Sequence, residues 1–151
     1  LSIQPLIKLP SLYERGGAPR GGTDSTDAEI SLLYGRTMPL ISSRDYIDMR
    51  VGYRERSDGL NGQYRMDVAY GLYLRNNLLA VPSFRSVIAA GTNTQSFSNN
   101  GSLDYDLHKT EMNLYYTLND IQQLSVGYFM HIGGEQTGAG QGFSVGLVQR
   151  F

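Results

Sequence analysis

Polar and apolar residues alternate along most of this chain with a period of two, and helical periodicity is scarce. Side chains of a strand point to opposite faces in turn, so this alternation predicts β-structure. Eight segments carry it: Ser2–Leu9, Ala28–Met38, Tyr46–Arg56, Gln63–Leu74, Leu78–Ala90, Tyr105–Leu118, Gln122–Ile132 and Gly142–Phe151. Several reach the length of about 9–11 residues that a tilted strand needs to cross a bilayer. The connections alternate in length. Pro39–Arg44, Arg75–Asn77 and Asn119–Ile121 are short, and Asn76, Asn77, Asn119 and Asp120 supply turn chemistry. Pro10–Asp27, Ser57–Gly62, Gly91–Asp104 and Gly133–Gln141 are longer and rich in Gly or Ser. Short periplasmic turns, long outer loops and an even strand count with both ends on the periplasmic side are the pattern of an up-and-down barrel.

What each face carries sharpens this expectation. One face of Tyr46–Arg56 reads Ile47, Met49, Val51, Tyr53; the other reads Asp48, Arg50, Gly52, Arg54. Gln63–Leu74 sets Tyr64, Met66, Val68, Tyr70, Leu72 and Leu74 against Arg65, Asp67, Ala69, Gly71 and Tyr73. Met112, Leu114, Tyr116 and Leu118 oppose Glu111, Asn113, Tyr115 and Thr117, and Leu124, Val126, Tyr128, Met130 and Ile132 oppose Ser125, Gly127, Phe129 and His131. A soluble sandwich also alternates. Three features favour an inverted transmembrane barrel instead. The apolar faces are long and nearly unbroken, Tyr recurs near their ends as in aromatic girdles, and the polar faces mix charges with Gly and other small residues. Only Leu78–Ala90 has a blurred register, and its Pro82 suits a bulge or an edge.

Composition agrees. With 18 Gly and 11 Tyr in 151 residues the chain suits many short strands, and its length suits one domain, 1–151. A net charge of −1 gives no field for nucleic acid, and without cysteine there is no disulfide or thiolate metal site. No apolar run is long enough for a transmembrane helix. The chain opens at Leu1 without the pattern of a signal peptide, so such a peptide is already removed or the chain starts inside a longer protein.

The last segment carries an address. Phe143, Val145, Leu147 and the terminal Phe151 alternate in a way that resembles the C-terminal signal of outer-membrane barrels, read by the barrel assembly machinery; Gln149 departs from it. Gly134–Gly142 running into Phe143–Phe151 resembles the ending of phenol-degradation (meta-pathway) outer-membrane transporter-like proteins, and Ser2–Pro10 is similar to a strand inside those longer barrels. The resemblance covers about the first ten and last twenty residues. It implies a Gram-negative outer membrane, lipid contact and porin-like passage of small hydrophobic or polar solutes. It also leaves open that the chain is the C-terminal part of a larger barrel.

Candidate chemistry lies on the inward face. Lys8, Glu29, Asp48, Arg50, Arg54, Arg65, Asp67, Arg85, Lys109, Glu111 and Arg150 all point there in these registers. Asp48, Arg50, Arg54, Arg65, Asp67, Glu111 and Arg150 form the expected lumen network, with Asp48, Arg50, Arg65 and Asp67 on adjacent strands as its best-placed members. Such charges either neutralise one another in a packed interior or form a constriction that selects solutes by charge. The leading expectation is therefore a non-enzymatic channel or transporter-like barrel; a closed structural or adhesion barrel is the alternative. A lipid-modifying enzyme using His108 or His131 is a third. His131 lacks a neighbouring Ser, and Asp106 shares a face with His108. Two lone histidines make no metal site, and no cofactor is implied. Gly16-Gly17 and Gly21-Gly22 lack the Lys and strand-turn-helix setting of a phosphate loop.

Overall fold

The computed structural model describes residues 1–9, 26–57, 60–91, 104–135 and 137–149. Eight strands follow one another: β1 Ser2–Lys8, β2 Asp27–Thr37, β3 Tyr46–Arg56, β4 Gln63–Arg75, β5 Leu78–Ala89, β6 Leu107–Thr117, β7 Gln122–Gly133 and β8 Gln141–Gln149. They form one antiparallel sheet in sequential order, up and down, so each strand pairs only with its neighbours in the chain. The sheet is open: β1 and β8 are its two edges. Each of the eight expected segments corresponds to a strand. The short connections lie at one end of the sheet and the long ones at the other. Most of Pro10–Asp27 and of Gly91–Asp104, both Gly-Gly runs, Arg150 and Phe151 lie outside the described residues.

β5 shows why its register was hard to read. Pro82 has no N–H to donate. Pairing of β5 with β6 runs through Pro82 opposite Met112, whereas on the β4 side it stops at Ala69 opposite Ser83 and resumes at Leu72 opposite Ala80. Pro82 falls in that gap, where no ladder bond is asked of it. The strand also mixes its faces: Ser86 lies among apolar residues, and Leu79, Val81 and Val87 lie on the polar side.

Burial is inverted relative to a soluble domain. Among the described residues the buried hydrophobics are Ala80 and Val87, while Asp27, Glu29, Ser31, Asp45, Arg56, Gln63, Ser86 and Asp104 are the buried polar or charged ones. Ile30, Leu32, Val51, Met66, Leu114, Val126, Phe143, Val145 and Leu147 are exposed together on the face opposite Asp27, Glu29 and Ser31. The polar face is concave, since one cavity of about 700 Å³ touches strands from β1 to β6 on that side. The apolar face is convex, and its charges Arg36 and Glu55 stand at the ends of their strands.

The apolar belt runs diagonally across the pairing rows. Its centre on β2 is Leu32, whose row passes through Val51 to Met66 on β4. Its centre on β8 is Val145, whose row passes through Val126, Leu114 and Ala80 to Leu72 on β4. From Met66 to Leu72 is six residues, gained over the six steps from β2 to β8. One residue of about 3.3 Å for each interstrand spacing of about 4.8 Å is an inclination of roughly 35°.

The turn between β2 and β3 is built on one buried carboxylate. Asp45 accepts N–H bonds from Leu40 (3.1 Å), Ile41 (2.7 Å) and Ser42 (2.8 Å), and its other oxygen takes the Tyr73 N–H of β4 (2.8 Å). Burial pushes its pKa up, and these backbone donors outweigh that and hold it at about 2. Its contribution to stability is complete above the ordinary aspartate value of 3.8 and is lost as the pH falls through about 2. Asp45→Asn should be less stable at neutral pH and should lack this part of the acid limb. Identical acid-unfolding profiles for the two proteins would count against the turn's dependence on Asp45.

Candidate functional site

The concave face gathers its charges around Glu29. This carboxylate sits on β2 with its side chain fully buried and meets three guanidinium groups. Arg54, directly opposite on β3, donates through Nε (2.9 Å) and Nη2 (2.8 Å). Arg65 of β4 donates through Nη1 at 2.9 Å, and Arg50 of β3 through Nη2. Ser31 Oγ adds a fifth donor at 2.9 Å and itself accepts Arg50 Nε at 3.1 Å. The residue between the two β3 arginines on this face is Gly52. A Cβ there would collide with Ser31 Oγ, so glycine leaves room for the hydroxyl that links Arg50 to Glu29.

Neighbouring pairs extend the cluster. Asp27 lies 3.4 Å from Lys8 Nζ and 3.7 Å from Arg54 Nη1. Arg56 meets Asp104 at 3.1 Å, and Asp104 also accepts the Asn61 side-chain and backbone N–H groups. A second tier lies further from the long connections. Arg85 of β5 binds Asp67 at 2.5 Å, and Lys109 binds Glu111 at 3.1 Å while standing 4.4 Å over the Phe129 ring.

The expected network is thus divided. Asp48, Arg50, Arg54, Arg65, Asp67 and Glu111 share the concave face as read from their registers, and Arg150 lies outside the described residues. Arg50, Arg54 and Arg65 converge on Glu29. Asp67 stands opposite Arg50 in the ladder, yet it pairs with Arg85. Glu111 belongs to Lys109, and Asp48 joins no ion pair among the described residues. Asp67 has an arginine opposite it on each side, Arg50 on β3 and Arg85 on β5, and takes Arg85, while Arg50 turns diagonally to Glu29 and Arg65 reaches it across two strands. The hub Glu29 was visible in sequence as an inward charge, and its place directly across from Arg54 was the available signal.

Between Asp48 and the short turns the concave face carries tyrosines in place of ion pairs among the described residues. It holds Tyr46, with Tyr73 and Tyr115 within electrostatic reach of it, among Ala69, Val81 and Asn113. The Tyr46 ring occupies the space that a side chain on Gly71 would need. The face is therefore split lengthwise into a half of ion pairs toward the long connections and a tyrosine half, where the Arg44 guanidinium of the turn stands 4.3 Å over the Tyr73 ring.

The histidines separate. His108 lies on the convex face, where its Nδ1 is 2.9 Å from Ser86 Oγ and its ring stacks on Phe84 at 6.3 Å between centroids. Asp106 instead accepts the Ala89 N–H at 2.8 Å. His131 lies on the concave face, 2.9 Å from the Gly138 carbonyl. No group of His, Cys, Asp and Glu suited to a metal ion occurs among the described residues. Of the residues read as an assembly signal, Phe143, Val145 and Leu147 are exposed on the convex face of β8, and Phe151 lies outside the described residues. No protein-family model, curated protein or solved structure matches the chain.

Proposed function

We propose that this sheet is the wall of a transmembrane β-barrel in a bacterial outer membrane, and that its polar concave face lines a path for small solutes. The inverted burial supports this reading most strongly: the ion pairs lie on the concave face, with Asp27 and Glu29 buried there, while large apolar side chains cover the convex one. A sheet in water would expose the first and bury the second. The diagonal of the apolar belt, roughly 35° across the rows, is the strand tilt of about 35–45° that membrane barrels adopt. Lipid cannot satisfy the backbone groups of an open strand edge. In the barrel β1 and β8 are therefore paired, with each other or with further strands of a larger wall, and both arrangements keep the same two faces.

The saturated Glu29 cluster favours a second reading, a closed barrel with a packed polar interior. The cavity of about 700 Å³ beyond Arg50 favours passage. The reading is non-enzymatic. Ser86 is 5% exposed, which gives a substrate carbonyl no approach to its Oγ, so its bond to His108 satisfies two polar groups on an apolar face. The protein should fold into detergent or lipid as a species of heat-dependent gel mobility and conduct ions in a planar bilayer. Folding without conductance beyond leak would decide for the packed interior.

A further inference from the structure

We infer that the concave face holds a binding site for a small monocarboxylate with an uncharged body, its carboxylate on Arg50 beside Arg65 and its body in the cavity toward the tyrosine half. This rests on the barrel reading and names the class of solute.

The charge balance is the first ground. Glu29 brings one negative charge to three guanidinium groups, and Asp27 beside it meets Arg54 and Lys8. A carboxylate has about four lone-pair positions. Glu29 already accepts from Arg50, Arg65 and Ser31 and twice from Arg54, so it has nothing left for the remaining donors of Arg50 and Arg65. Asp67 does not supply the missing charge, because Arg85 holds it. Guanidinium donors left over at the cavity wall favour an anion there, and the planar fork matches a carboxylate.

The surroundings set the rest of the ligand. Arg50 lines the cavity and its side chain is 26% exposed, so its free donors are accessible from there. Beyond it the wall is Leu33, Ala69, Val81, Ser83 and Asn113, partly apolar, while the charges that also line the cavity are held in pairs, Asp67 with Arg85 and Glu111 with Lys109. Asp48 also lines the cavity and joins no ion pair among the described residues. It would repel a second carboxylate while tolerating a neutral body.

Three probes of one length test this in planar bilayers containing the whole chain: hexanoate, hexanamide and adipate. Hexanoate should reduce the potassium chloride conductance, hexanamide should not, and adipate should act only at about tenfold higher concentration. Arg50→Gln should raise the half-blocking concentration of hexanoate about tenfold or more, and Asp48→Asn should bring adipate close to hexanoate. Equal block by hexanamide, or an unchanged response in Arg50→Gln, overturns the site and leaves the channel standing. If the protein does not conduct, the channel reading fails by itself. Calorimetric titration of hexanoate into the detergent-folded protein then decides on the site: binding that Arg50→Gln removes supports it, and no binding overturns it.

Discussion

Replacing Glu29 by glutamine should lower the unfolding free energy by about 3–5 kcal/mol, the cost of leaving a buried charge without its partner. The substitution keeps the size of the side chain and one acceptor oxygen. Among the described residues it removes the one carboxylate that Arg50 and Arg65 share, in a position where the Glu29 side chain has no contact with solvent. The three guanidinium groups, 21–26% exposed, then repel one another with little water to screen them. Urea unfolding of the protein in lipid vesicles measures the loss. Adding Arg50→Gln to Glu29→Gln should recover part of it, because the second change removes one of the stranded charges; couplings within such networks run at about 0.5–3 kcal/mol. A loss of about 0.5 kcal/mol or less, the level of a surface substitution, would show that Glu29 does not organise the cluster.

The same cluster shows what the sequence could tell and where it stopped. Period-two alternation located all eight strands, with ends differing from the observed ones by up to about two residues, since boundaries depend on hydrogen bonds rather than on pattern. It also assigned faces, because one slipped residue would exchange every apolar and polar side chain. Partner choice was not legible. Register places Asp67 opposite both Arg50 and Arg85 without saying which it takes, and Glu29 draws Arg50 diagonally from β3 and Arg65 across two strands from β4. The role of Asp45 was hidden for a different reason: it lies next to the expected turn Pro39–Arg44, and only the folded chain brings the Tyr73 N–H to its second oxygen. Ser86 and His108 are 22 residues apart and meet only through the pairing of β5 with β6. Closure of the wall lies beyond alternation altogether, because a period of two reads the same in an open sheet and in a barrel.

Arginine placed along the convex face should give the second large effect, and its pattern tests the orientation of the belt. Met112→Arg should cost about 2–4 kcal/mol if that position lies near the middle of a bilayer, and about 0–1 near its surface. In water the same change at a residue 45% exposed would fall within about 0.5 kcal/mol of neutral. The informative comparison is within one pairing row. Arg36, Ile47 and Tyr70 share a row on β2, β3 and β4, which continues past the Pro82 gap to Met112, Tyr128 and Phe143. If the strands crossed the membrane upright, a whole row would lie at one depth, and Arg36 would stand as deep as Met112. A tilt of roughly 35° lowers the row along the sheet, so that Arg36 reaches the water at the short-turn end while Met112 and Phe143 stay in the apolar belt. Arg36→Leu should therefore change stability by less than about 0.5 kcal/mol, while Met112→Arg carries the full penalty. Unfolding of both variants in vesicles of one lipid gives the two numbers. Equal costs at the two ends of the row would remove the tilt, and a negligible cost at Met112 would remove the bilayer from that face.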